Sequence, residues 1–119
     1  MKLFFAQLLN SKATRMVGLV ACLLSAPSQA ASQSELAAIS AIGQVNAVAL
    51  QCRYVEEVQR IKRVLVQTLP KQRALGVWFE QTTNDAFMEF MRQEKSCPPR
   101  NEFSSRLDQA IDGLKKVYE

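Results

Sequence analysis

The side chains in this sequence that could do chemistry are three cysteines, eleven carboxylates and a cluster of aromatics and methionines; histidine is absent. Without imidazole the usual general base, the commonest zinc ligand and the histidine-dependent nucleophile triads are all missing. The acid pairs are Glu56-Glu57 and the helix-spaced Asp108 and Asp112, each with basic neighbours and no apolar pocket implied around it. A solvated surface is the expectation for them, not general acid–base work. No glycine-rich phosphate loop, GxSxG elbow or carboxylate-rich calcium loop occurs, and Ser104 and Ser105 have no base in view. The pattern argues against an enzyme and implies neither a cofactor nor a metal.

What the cysteines do depends on where the chain works. Residues 1–30 hold Lys2, Lys12 and Arg15 and no acid, then the apolar run Met16 to Leu24, then Ser25-Ala26-Pro27-Ser28-Gln29-Ala30. That order of basic, apolar and small residues is the pattern of a secretory signal peptide cut after Ala30. The apolar run is far short of the roughly 20 residues that span a bilayer. The expected working chain is a single domain, residues 31–119, in the periplasm. Leu19-Val20-Ala21-Cys22 offers an alternative, since it resembles a bacterial lipobox in which an acylated Cys22 would make an outer-membrane lipoprotein. Membrane attachment is expected only in that case.

After cleavage two cysteines remain, Cys52 and Cys97, in an oxidising compartment, so a disulfide between them is expected. No Cys-x-x-Cys motif suggests redox work. Loss of residues 1–30 also changes the charge: 15 basic residues against 11 acidic ones, a net of +4, become 12 against 11, a net of +1. Nucleic acid is therefore not an expected partner, because phosphate binding needs a surplus of Lys and Arg on one face. Arg60, Lys62 and Arg63 remain as a local cluster, but Glu56 can pair with Arg60 at i,i+4, which reads as a solvated helix face.

The remaining unusual feature is the stretch from Trp78 to Met91, which contains Trp78, Phe79, Phe87, Met88, Phe90 and Met91. These residues can fill a core, or part of the set can line a groove for an apolar helix, since rigid aromatics and adaptable methionines suit that recognition. Phe79 is adjacent to Trp78 and Met88 to Phe87, so neither pair can point wholly inward on one helix. Some apolar surface should be exposed or covered by a partner.

The elements that must position these residues are helical. Ser32-Gln33-Ser34-Glu35 has capping-box spacing, and Leu36, Ile39, Val45, Val48, Cys52, Val55, Val58, Ile61 and Leu65 recur mostly three or four apart. This predicts one long amphipathic helix, or two joined near Gly43, ended by Pro70, which can open the next helix. A second helix is expected from Lys71 to about Gln81. A third, capped by Thr83 or Asn84, would run to about Lys95, unless the two are continuous. Phe103, Leu107, Ala110, Ile111 and Leu114 predict a final helix from Pro99 to about Val117. Strands are not expected, since no alternating run of useful length appears. The expected fold is all-α, a small bundle of three to five helices stapled by one disulfide.

Leu50-Gln51-Cys52-Arg53, the Leu69-Pro70 step, Gly76-Val77-Trp78, and Cys97 followed by Phe103 and Leu107 span roughly residues 36–114. In this arrangement the chain resembles the pilotins of type II secretion systems, small all-helical proteins that escort the outer-membrane secretin. The resemblance implies that Cys52 and Cys97 form the family's disulfide and that a groove between helices grips a helical segment near the secretin's carboxyl end. Pilotins of this type are usually lipoproteins, whereas the lipobox here is poor; without an acyl chain the implied role is a periplasmic chaperone or assembly factor. Two other readings fit the same composition. One is an immunity or inhibitor protein neutralising a toxic cell-wall enzyme. The other is a structural envelope subunit that dimerises through its long first helix.

Overall fold

The structure is a computed structural model that describes residues 30–119. The expected export signal and Cys22 lie outside the described residues. Helix α1 (Gln33–Gln51) starts where the sequence predicts. The Ser32 hydroxyl accepts from the Glu35 amide at 3.1 Å, and the Glu35 carboxylate accepts from the Ser32 amide at 2.9 Å, which satisfies two of the amide donors that a helix start leaves open. Ile39, Ile42, Gly43, Val45, Asn46, Ala47 and Ala49 are all buried. A helix buried on so many sides is a central one rather than a half-solvated stripe.

The long first helix does break, though not at Gly43. The break comes at Cys52–Tyr54, where the Arg53 amide donates to the Leu50 carbonyl and the Tyr54 amide to the Ala49 carbonyl. This is a Schellman ending with Arg53, at φ 57°, in the left-handed position that glycine usually fills. The same motif ends the third helix, with Glu94 at φ 51° and Lys95 donating to the Phe90 carbonyl. A side chain in this conformation costs about 1 kcal/mol relative to glycine, and Arg53 is exposed. Arg53→Gly is therefore expected to raise the unfolding free energy by about 0.5–1 kcal/mol, read as a higher urea midpoint; a lower midpoint would show that the arginine side chain is needed.

Helix α2 (Val55–Thr68) buries Val58, Ile61 and Val64 and ends ahead of Leu69-Pro70. Pro70 stays in the connecting turn and does not open the next helix, which begins at Arg73. Helix α3 (Arg73–Arg92) is continuous through Thr82-Thr83-Asn84, so the expected second and third helices are one. The Thr82 hydroxyl donates back to the carbonyls of Trp78 and Phe79, both at 3.0 Å, the back-bonding that lets threonine sit inside a helix. Thr83 caps nothing; it is buried and accepts at 3.4 Å from the Asn46 amide. Helix α4 (Arg100–Val117) has Pro99 at its N-cap and buries Phe103, Leu107, Ile111 and Leu114.

The four helices alternate in direction, and Ala31–Glu119 form one compact unit, all-α with one disulfide. Helix α1 lies against all three others and α2 lies against α4, whereas the backbone of α3 comes close only to that of α1. Ile39, Ile42, Ile61, Phe103, Leu107 and Leu114 are the largest fully buried side chains, so the main core sits between α1, α2 and α4.

Cys52 and Cys97 are joined, with their Cα atoms 5.7 Å apart, tying the end of α1 to the approach to α4. Polar and aromatic contacts gather around this staple. The Tyr54 hydroxyl donates to the Pro98 carbonyl at 2.5 Å, the Tyr54 and Phe103 rings lie 5.2 Å apart, and Arg100 sits 5.1 Å over the Tyr54 ring. Arg100 also donates two bonds of 2.8 Å to the carboxylate of Glu57. Glu57 is thus not the solvated acid that its sequence neighbours suggest: it is buried, and the Arg100 guanidinium holds its carboxyl below the usual range. Arg60 likewise pairs with Asp108 across to α4 at 2.7 Å rather than with Glu56.

Candidate functional site

The backbone of α3 comes close only to that of α1, which leaves its outer face open for binding, while Leu75 and Phe90 turn inward and are buried. Two devices hold α3 in place. The Trp78 indole donates at 3.0 Å to both the Leu36 carbonyl and the Ser40 hydroxyl of α1. One turn on, Gly43 lets the two helices meet: a Cβ there would lie 2.3 Å from the Thr82 hydroxyl oxygen and 3.3 Å from the Thr83 amide nitrogen. The glycine that reads in the sequence as a helix break is instead where α3 nests against α1.

The structure divides the six aromatic and methionine candidates. Trp78 fastens α3 to α1, and Phe90 is buried, so neither presents a free face. Phe79 is half-buried against the core, and Phe87 is half-buried. Met88 and Met91 are 65% and 51% exposed on the outer face of α3, where the Glu89–Arg92 ion pair borders them. Of the adjacent Phe87 and Met88, Met88 is turned outward, whereas the adjacent Trp78 and Phe79 are both half-buried against the core, neither wholly inward.

A shallow hollow runs along one flank of α3, lined by Asn46 and Leu50 of α1 and by Phe79, Glu80, Thr83 and Asn84 of α3. Leu50, 44% exposed, brings an apolar side chain to its edge. The buried Asn46 donates one amide hydrogen to the Thr83 hydroxyl and leaves its carbonyl oxygen without a partner among the described residues. Asn46 and Leu50 are absent from the candidates read from the sequence. Leu50 was detectable there, because it falls off the stripe formed by Val45, Val48 and Cys52 and so must face elsewhere. Asn46 carries no such signal, since its burial comes from α3, which lies far away in sequence.

The arrangement offers an apolar surface for binding; among the described residues no three His, Cys, Asp or Glu side chains converge to hold a metal, and no helix is long and apolar enough to cross a membrane. No known protein family matches the chain, and no curated protein or solved structure is significantly similar to it. The site's reading therefore rests on its own geometry.

Proposed function

We propose that the chain is a non-enzymatic protein-binding module of the periplasm, a pilotin-like chaperone or assembly factor that takes an apolar helical segment of an outer-membrane secretin along α3. The observation that supports this most directly is the exposure of Met88 and Met91 on the outer face of a helix whose backbone comes close only to that of α1, with the Leu50–Phe79 hollow alongside. Methionines adapt their shape to a partner's side chains, and helix-in-groove recognition uses such apolar strips.

The test is titration of the protein with a peptide carrying the secretin's carboxyl-terminal helix, beside pull-down from envelope extract. Met88→Ala with Met91→Ala is expected to weaken binding about tenfold or more, the cost of removing two anchors. Its melting temperature should stay nearly unchanged, because exposed substitutions alter stability by about 0.5 kcal/mol or less. Phe79→Ala should damage both, since that ring also packs on the core. Unchanged affinity in the double methionine variant would remove α3 as the docking face. Recovery of a cell-wall hydrolase in place of a secretin, with loss of its activity on binding, would establish the immunity reading.

A further inference from the structure

From Val58 to Phe79 the chain carries Arg60, Lys62, Arg63, Lys71 and Arg73 and no carboxylate, although residues 31–119 are close to neutral overall. Arg60 is neutralised by Asp108. The other four cations are exposed, and none has an ion-pair partner among the described residues. Helix α2 and the turn into α3 place them around an apolar tip. Val66 is 75% exposed on the outward face of α2, where Lys62 and Arg63 precede it by one helical turn. It lines two adjoining hollows, one shared with Lys62 and Arg63, the other with Leu69, Pro70 and Lys71.

An exposed apolar patch bordered by uncompensated Lys and Arg matches the boundary of an anionic bilayer. There apolar groups enter below the headgroups, and long basic side chains stay with the lipid phosphates. Each such cation adds to the attraction, which fades within a Debye length and so weakens with salt. The segment itself carries no carboxylate to repel an anionic surface.

We propose that the α2–α3 end of the bundle docks on anionic phospholipid, with Val66, Leu69 and Pro70 at the headgroup boundary and Lys62, Arg63, Lys71 and Arg73 on the lipid phosphates. This surface is separate from the Met88–Met91 face and does not depend on the function proposed for it. The test is co-sedimentation of the protein with vesicles of phosphatidylcholine alone or mixed with phosphatidylglycerol, at low and high salt.

Binding should favour the phosphatidylglycerol vesicles and fall with salt. The variant carrying Lys62→Gln, Arg63→Gln, Lys71→Gln and Arg73→Gln should lose tenfold or more of that binding, on the order expected for four surface cations. Val66→Glu, a single exposed change, should lower it too. Lys95→Gln with Arg106→Gln, at the opposite end of the bundle, should leave it intact. Equal binding to both vesicle types, undiminished binding by the four-fold variant, or equal loss in the Lys95/Arg106 variant would overturn the proposal. So would tighter binding to polyglutamate or duplex DNA than to the anionic vesicles.

Discussion

Replacing Cys52 and Cys97 with serine is expected to lower the unfolding free energy by about 4 kcal/mol, and the melting temperature by on the order of 20 °C. The bond joins residues 45 apart in sequence, and opening a loop of that size returns chain entropy to the unfolded state. The closed loop contains all of α2 and α3. Helix α3 has the most to lose, since its backbone comes close only to α1, whereas α4 keeps Phe103, Leu107 and Leu114 fully buried in the main core. Amide exchange in the double-serine variant should therefore accelerate first along α3 and last along α4. Thermal denaturation of both proteins, with the bond verified by non-reducing mass analysis, gives the magnitude. A melting temperature within a few degrees of the parent would show that the packed helices suffice without the staple.

Much of the architecture is legible in the sequence because local chemistry determines it. The Ser32–Glu35 capping box, the stop before Pro70, and the period of Phe103, Leu107, Ile111 and Leu114 each state a boundary or a face within a few residues. What escapes a sequence reading involves partners distant along the chain, or a residue outside its preferred geometry. The break after α1 is hidden because Arg53 occupies a position where glycine would have announced it. Thr82 and Thr83 look like punctuation, yet one bonds back within its own helix and the other meets Asn46 of α1. Glu57 looks solvated until Arg100 arrives from the far side of the disulfide. For the candidate site, adjacency alone requires some exposed apolar surface near Trp78–Met91. Which residues supply it is settled only by the rotation of α3 on α1.

That rotation depends on Gly43, and Gly43→Val is expected to destabilise the protein by about 3 kcal/mol, lowering the melting temperature by roughly 15 °C. The valine Cβ alone would stand 2.3 Å from the Thr82 hydroxyl oxygen and 3.1 Å from the Thr82 Cβ. The hydroxyl cannot turn aside freely, because it is already bonded to the carbonyls of Trp78 and Phe79. Helix propensity works in the other direction, favouring a side chain over glycine by up to about 1 kcal/mol, so Gly43→Ala should cost less than Gly43→Val. Adding Thr82→Ala to Gly43→Ala should recover part of the loss, since it removes the nearest atom but leaves the Cβ contact. A double-mutant cycle reads this as a coupling energy between the two sites. Strict additivity, or a neutral Gly43→Val, would mean that α3 is not seated on this contact. The partner-binding consequence separates two roles: Gly43→Val should weaken binding together with folding because it displaces the helix that carries the surface, whereas Met88→Ala with Met91→Ala should weaken binding alone.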